Sequence, residues 1–292
     1  MSAVVDVRER LVAASLNPDE VEALVRAALA EDLRGGEDVT SAATMTDTAV
    51  TADVIARADG VVAGLAVAEL ALAIAVSDIE LRQSVADGDE VRRGDRLLTV
   101  VGPGRGLLTA ERTALNLLCH LSGIATLTSR WVAAVADSKA QVRDTRKTTP
   151  LLRSLEKYAV RCGGGVNHRL GLSDAALVKD NHVAAAGGVV EAYRQVRERY
   201  PDVPVQVEVT TLEEAAEAVA AGADELLLDN MSTGEMRRAV EVVAGRARLE
   251  ASGGLTLPRA AEVAATGVDY LAVGALTHSA PALDIAMDLR SD

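Results

Sequence analysis

The sequence predicts an α/β protein built on an incomplete β/α barrel of six or seven strands with a smaller partner domain. Beyond Gln141, short β-branched or Leu-rich runs recur at QVRD (141), ALVK (176), VQVEV (205), ELLLD (225), RLEA (248) and YLAV (270), each followed by a helical stretch. Alternation of this kind builds a parallel sheet. The same runs end at Asp144, Lys179, Glu208, Asp229, Ser252 and Gly274 in turn. An open doubly wound sheet would satisfy the alternation equally well, but chemically useful residues at successive strand ends are how a barrel loads its C-terminal rim. A length of 292 residues suits a barrel with a partner domain, because single cores stop growing near roughly 250 to 300 residues.

Taken in order, Asn17-Pro18-Asp19-Glu20 reads as an N-cap, a proline at the first helical position and early acids, opening a helix to about Asp32 that Gly35 and Gly36 end. From Ala52 to Val101 the pattern is β-type, interrupted by a helix near Leu65 to Val76. The turn-rich VADGDEVRRGDRLLTV resembles the hairpin of a lipoyl or biotinyl carrier. A carrier needs a lysine there, and none precedes Lys139, so the segment is expected to be a structural hairpin. A helix is predicted from about Thr109 to Leu121, and another from Thr149-Pro150 to Cys162, before Gly163.

Composition narrows the function. The chain is 49% hydrophobic and 25% charged with no Phe, so Ala, Val and Leu must build the core. Its formal net charge of -13 and few aromatics argue against nucleic acid. The most apolar stretch, Gly60 to Ser77, is broken by Glu69 and is too short to span a bilayer, and no signal peptide is visible at the N-terminus. Cys119 and Cys162 form no disulfide framework and no metal-ligand spacing, which fits a reducing cytosol. For Cys162, helix-end packing is the expected role rather than nucleophilic catalysis.

Against the overall acidity stands the segment from Asp144 to His182, which holds three of the four lysines and two of the four histidines. Arg146, Lys147, His168, Arg169 and Lys179 lie there at strand ends or beside the loop Gly163-Gly164-Gly165. Guanidinium groups pair bidentately with carboxylates, and lysine serves phosphate as a point charge. So many cations on one rim make sense around an anion. Arg153, Glu156, Lys157 and Arg161 share a helix face and suit support or solvation.

Glu208 and Asp229 end successive strands, where they would either hold Mg²⁺ through oxygen ligands or neutralise the neighbouring cations. Ser252-Gly253-Gly254 and Gly274-Ala275-Leu276-Thr277-His278 follow the two last strands, where barrels make phosphate sites from backbone N–H groups. The rim thus implies a sugar phosphate and an organic acid. Other readings are a barrel aldolase with Lys147 or Lys179 as a Schiff-base amine, or a non-catalytic sugar-phosphate binding protein.

The motifs DTRKTTP, KYAVRCGGGVNHR, LVKDNH, LLLDNMS, LEASGG and YLAVGALTHS resemble those of the quinolinate phosphoribosyltransferase family, in the family's order. With EDLRGGEDVT (31–40), GVVAG (60–64) and LTAERTALNLLCHLSGIAT (108–126), the resemblance covers nearly the whole chain. It implies transfer of phosphoribosyl from phosphoribosyl pyrophosphate to quinolinate with decarboxylation, giving nicotinate mononucleotide, pyrophosphate and CO₂, with Mg²⁺, in cytoplasmic NAD biosynthesis. No pyridoxal phosphate or thiamine is expected.

By the same resemblance, Arg146, His168, Arg169 and Lys179 would bind the quinolinate carboxylates, and Lys147 would lie near the reacting centre. Glu208 and Asp229 would serve the ribose hydroxyls and Mg²⁺, while Ser252, Gly253, Gly274 and His278 would line the 5-phosphate end. Arg112 would reach the neighbouring subunit's active site, implying a homodimer. The implied fold is an N-terminal α/β open sandwich over residues 1–115, completed by a C-terminal helix over 281–292, and a barrel over 116–280. A paralogue of the molybdenum-transport-associated type and nicotinate phosphoribosyltransferase are related alternatives. Two positions depart from the family pattern. Leu151 stands where Gly is usual, which a helix start is expected to absorb, and Thr210 stands where many relatives carry an acid, which bears on the metal assignment.

Overall fold

A computed structural model of the protein describes residues 3–290. The chain opens with helices α1 (Ala3–Ala13), α2 (Pro18–Leu33) and α3 (Val39–Thr44), followed by β1 (Ala49–Ala56), β2 (Gly60–Val61), α4 (Leu65–Ala75), β3 (Glu80–Gln83), β4 (Glu90–Val91) and β5 (Arg96–Pro103). A long helix, α5 (Gly104–Ala134), leads to β6 (Gln141–Arg143), α6 (Arg153–Cys162), β7 (Ala176–Val178), α7 (Asp180–Ala186), α8 (Val189–Arg199), β8 (Val205–Val209) and α9 (Leu212–Ala220). The last elements are β9 (Glu225–Asp229), α10 (Thr233–Val243), β10 (Arg248–Ser252), a 3₁₀ turn (Leu257–Arg259), α11 (Ala260–Ala264), β11 (Tyr270–Ala272), α12 (Ala275–His278) and β12 (Ile285–Leu289). Among the described residues no helix is long and apolar enough to cross a membrane.

Two compact units result. The first takes the chain through Leu127, the segment Thr149–Gly164 and the segment from Ser279 onward; the second takes Thr128–Thr148 and Gly165–His278. Helix α6 therefore belongs to the first unit although it falls between β6 and β7 of the second in the order of the sequence.

In the first unit an antiparallel sheet runs in the order β12-β1-β5-β3, and α1 and α2 pack against α4. Local chemistry sets the helix ends: the Asn17 side chain accepts from Asp19 N and Pro18 opens α2, while Asp38 accepts from Thr40 N and Ser41 N to cap α3. The turn-rich segment contributes β4, which pairs with β2 and not with β5, so it is a pair of turns rather than one hairpin.

The expected C-terminal helix is corrected here: Ile285–Leu289 is a strand, paired antiparallel with β1 from Ala56↔Ile285 to Ala52↔Leu289. The free backbone groups of the β1 edge take this segment as their partner, because unpaired edge groups are costly. Cross-strand pairs Arg57–Asp288 and Arg290–Asp53 add to the register. The segment reaches the sheet by passing tightly over α5, where Leu283 N donates to Cys119 O and a Cβ at Gly123 would lie 2.1 Å from Pro281 O.

The second unit is the predicted incomplete barrel. Its six strands run in the order β6-β11-β10-β9-β8-β7, and every ladder between them is parallel. That is the strand order of a barrel cut between β6 and β7, and among the described residues no ladder closes the cut. Val207, Val209, Leu226, Leu228, Leu249, Ala251 and Leu271 are buried, giving the aliphatic core that the lack of Phe demands. Helices α9 and α10 start with reciprocal capping boxes, Thr211 with Glu214 and Ser232 with Glu235. Thr210 joins the first box, donating from N and Oγ1 to Glu214 Oε2, so it serves as a helix-start residue.

Candidate functional site

All of the rim residues singled out in the sequence except Arg112 belong to the second unit, and they form three clusters beyond the C-terminal ends of its parallel strands. The first surrounds two arginines. Arg146 follows β6 and Arg169 lies on the segment that leads into β7. The Arg169 guanidinium is held below its ordinary range first by burial and then by the facing charge of Arg146, while Asp174 pulls the other way. Arg169 spends one nitrogen on Ala175 O at 2.8 Å, and the buried Nε of Arg146 has no hydrogen-bond partner. Two like charges, one with an orphaned donor, are an arrangement that an anionic ligand would suit.

His168 stands behind this pair. Its Nδ1 accepts the backbone N–H of Arg169 at 2.7 Å and its Nε2 meets Gln206 Oε1 at 2.8 Å. The strand-end acid Asp144, which the rim pattern counted among the functional groups, is fully buried: it accepts from Asn167 Nδ2 and from His168 N. Its work is to hold the turn that carries His168 and Arg169.

The second cluster is acidic. Glu208 on β8 lies above the usual carboxylate range because of burial first and the Asp229 carboxylate second; Lys179 and the backbone of Asp180 oppose this, and the Asp180 charge adds to it. Lys179 is exposed and caps α7, its N–H donating to His182 Nδ1 at 3.0 Å. Two carboxylates that repel each other are a donor set that suits a hard divalent cation, with Asp229 Oδ2 also accepting from Asn230 Nδ2 at 2.8 Å.

The third cluster joins Lys147 to the loop after β11. Thr277 Oγ1 donates to Lys147 O at 2.8 Å, and a Cβ on Gly274 would lie 3.1 Å from Lys147 Cδ and 3.3 Å from the His278 ring. Glycine at 274 therefore leaves the room that the lysine stem occupies. The neighbouring loop has Gly253 at φ 93, with Asn230 in the left-handed region at φ 54 beside it.

Beneath the rim, the sheet carries a charged network that sequence reasoning missed. Arg143 Nη1 donates to Glu225 Oε1 and to Glu250 Oε2, each at 2.6 Å, with its guanidinium 4.0 Å from the centre of the Tyr270 ring. The strands carrying these residues read as ordinary alternation, and only their register brings the charges together. His168, Glu225 and Glu250 also present ligand atoms within 4.8 Å of one another. Arg143 already supplies the positive charge there, so that trio does not need a metal.

A cleft of about 870 Å³ lies beside β7, α7 and α8 and shares Arg169 and His182 with the rim. Its other walls are mainly aliphatic, with Ser173, Gln195, Arg199 and Tyr200 among them, and Lys147, Glu208 and Asp229 do not line it. The chemistry is on the rim.

In the first unit, Arg112 is on α5 with its side chain 64% exposed and Glu111 at 3.9 Å. Burial pushes the Cys162 thiol up to about 11, and Asp87 adds to the rise, so it is no activated nucleophile. Leu151 is not a helix-start residue. It lies before α6 in the left-handed region at φ 68, a conformation that glycine adopts without strain.

Residues 38–122 match the N-terminal domain of quinolinate phosphoribosyl transferase and residues 124–288 match its C-terminal domain. The chain is 53% identical over 277 residues to nicotinate-nucleotide pyrophosphorylase [carboxylating] of Mycobacterium leprae, covering 93% of this chain and 98% of that one. It is 37% identical over 317 residues to quinolinate phosphoribosyltransferase [decarboxylating] 2, mitochondrial, of Nicotiana glauca, covering 100% of this chain and 90% of that one. The crystal structure of NadC from Streptococcus pyogenes superposes with a TM-score of 0.90 at 41% identity, covering 94% of this chain and 99% of that one. These matches span both units and include every rim motif, and the chain belongs to the quinolinate phosphoribosyl transferase family.

Proposed function

We propose that the protein transfers the phosphoribosyl group of phosphoribosyl pyrophosphate to quinolinate and releases pyrophosphate and CO₂, making nicotinate mononucleotide for NAD biosynthesis. The observation that carries this reading is the facing pair Arg146 and Arg169, with the buried Arg146 Nε unpartnered. A dicarboxylate would satisfy both guanidinium groups at once, and Lys179 would add a third positive charge.

Ser252, Gly253, Gly274 and His278 would hold the 5-phosphate through backbone N–H groups and a ring. Glu208 and Asp229 would take the ribose hydroxyls and, by the fit of two repelling carboxylates, Mg²⁺, which would offset charge on the pyrophosphate. Lys147 would stabilise the same departing charge, the kind of preorganised electrostatics worth about 10² to 10³ in rate per donor. Displacement at the anomeric carbon needs no side-chain nucleophile, which agrees with the raised Cys162 thiol. Once the pyridine nitrogen is quaternised, the neighbouring carboxylate leaves as CO₂ because the ring cation stabilises the carbanion left behind.

The exposed Arg112 fits a homodimer in which it reaches the active site of the second copy. The cytoplasm is the compartment we propose for this reaction.

The test is release of CO₂ and pyrophosphate by the purified protein given quinolinate, phosphoribosyl pyrophosphate and Mg²⁺, with nicotinate in parallel. Equimolar release with quinolinate alone is expected. Turnover of nicotinate, or binding of phosphoribosyl pyrophosphate without release from either acid, would refute the assignment.

A further inference from the structure

The family resemblance implies that His168 binds a substrate carboxylate, but its hydrogen bonds describe a different job. The ring has a donor position and an acceptor position to fill, and the structure fixes which is which. Arg169 N–H can only donate, so His168 Nδ1, 2.7 Å away, must be unprotonated. On the other side, the orientation of the Gln206 amide is set by Glu225. Gln206 Nε2 lies 3.2 Å from Glu225 Oε1, and Glu225 is a carboxylate held by Arg143 at 2.6 Å and by Arg248 at 2.8 Å, so it can only accept. The amide nitrogen of Gln206 must therefore face Glu225, which leaves Gln206 Oε1 to accept from His168 Nε2 at 2.8 Å.

Two arginines fix the Glu225 carboxylate, the carboxylate orients the Gln206 amide, and the amide selects one tautomer of His168. Glu250, fully buried and bonded to Arg143 through Oε2, keeps Oε1 3.7 Å from the same His168 Nε2 and favours a proton there as well. The His168 side chain is 11% exposed. A proton added to Nδ1 would break the bond to Arg169 N–H.

We propose that His168 is a positioning residue, locked as the Nε2–H tautomer by the buried Gln206–Glu225–Arg143 relay, whose Nδ1 fixes the main chain of Arg169 and so sets the guanidinium that meets the substrate carboxylate. The proposal rests on Arg169 as a carboxylate-binding group for its kinetic consequence, but not for the tautomer. It explains why a barrel interior, which aliphatic side chains usually fill, carries Arg143, Glu225 and Glu250 here: they polarise the one imidazole that touches the anion clamp from behind.

The tautomer is read directly by ¹⁵N nuclear magnetic resonance of the intact protein with labelled histidine, His168 being assigned by loss of its signals in His168→Asn. The pattern of an Nε2–H imidazole is expected at neutral pH, unchanged by quinolinate. An Nδ1–H or doubly protonated ring, with or without quinolinate, would overturn the proposal. This arm needs no turnover, so it stands apart from the outcome of the activity assay.

The positioning role is read by comparing two substitutions. Asn places an acceptor oxygen where Nδ1 lies, whereas Gln places its polar group near Nε2. His168→Asn should keep the quinolinate KM within about threefold of wild type, whereas His168→Gln should raise it about tenfold with the phosphoribosyl pyrophosphate KM unchanged, the scale of one lost hydrogen bond. Equal losses in both variants, at equal thermal stability, would mean that His168 acts on substrate directly and would refute the positioning role.

Discussion

The side-chain oxygen of Asn230 occupies the space that a Cβ on Gly253 would need: the two positions are 2.1 Å apart. Asn230 is itself held in the left-handed region, its N–H bonded to Ser252 O at 2.9 Å and its Nδ2 donating to Asp229 Oδ2 at 2.8 Å. One asparagine thus ties the acid of the second cluster to the glycine of the phosphate-type loop. Gly253→Ala should strain both, at φ 93 and against Asn230, by on the order of 1 to 3 kcal/mol. Steady-state kinetics should show a raised KM for phosphoribosyl pyrophosphate with the quinolinate KM little changed. A variant with wild-type constants would separate the loop from the phosphate.

Leu151 is the opposite case, a large side chain where the backbone favours glycine. It is 88% exposed, so little packing offsets the left-handed φ of 68. Leu151→Gly should raise stability by up to about 1 kcal/mol, the relief of left-handed strain exceeding the added freedom of glycine in the unfolded chain. Denaturant midpoints would show the gain. A clear loss would mean that the neighbouring chain, and not residue 151 itself, sets this conformation.

Glu69 provides a pH test in the first unit. It is fully buried on α4, bonded through Oε2 to Arg10 and Gln83, with Oε1 unpartnered, and burial pushes its carboxyl up to about 7 against the pull of Arg10. A raised carboxyl binds its proton more tightly in the folded state, so its contribution is full below the unfolded value of about 4.5 and is lost as pH rises through about 7. Measured against Glu69→Gln, wild-type stability should fall by roughly 2 to 3 kcal/mol across that window. A difference that stays flat with pH would show that the carboxylate is ionised throughout.

The acid pair should bind a divalent ion. Titration calorimetry with Mn²⁺ or Mg²⁺, in the presence of pyrophosphate, should give weaker binding to Glu208→Gln and Asp229→Asn than to wild type, by about tenfold each for loss of one of few protein ligands. Unchanged affinity in both would assign these carboxylates to the ribose alone.

Shared active sites predict complementation. Arg112→Ala and Lys179→Ala should each be inactive alone, and mixing them under conditions that exchange subunits should restore about a quarter of wild-type activity, because half of the dimers are mixed and each has one intact site of two. Failure to recover activity, with exchange demonstrated, would place Arg112 outside the partner's site.

Much of this was legible in the residues. The periodic runs from Gln141 onward located all six parallel strands, and the rim residues at their ends fell into clusters because strand ends in a parallel sheet point the same way. The N-cap at Asn17 and the proline after it act within a few residues and could be read directly. The errors came where distant chain decides. Ile285–Leu289 became a strand because β1, more than two hundred residues earlier, offered it an edge. Asp144 looked like a rim acid until its turn with Asn167 and His168 closed over it.

What the sequence determined by itself was which groups are available and in what order: cations in one segment, acids at two strand ends, glycines in two late loops, and the aliphatic runs that make a barrel. Tertiary structure alone decided which of them face one another. Arg143, Gln206, Glu225 and Glu250 come from four strands and no local pattern links them, yet the sheet register sets them side by side under His168. Hydrogen bonds act over about 3 Å, so although the Arg169 N–H that meets Nδ1 is a neighbour in the chain, the acceptor that meets Nε2 comes from β8, 38 residues on, and is oriented by residues of other strands that only the folded sheet brings near.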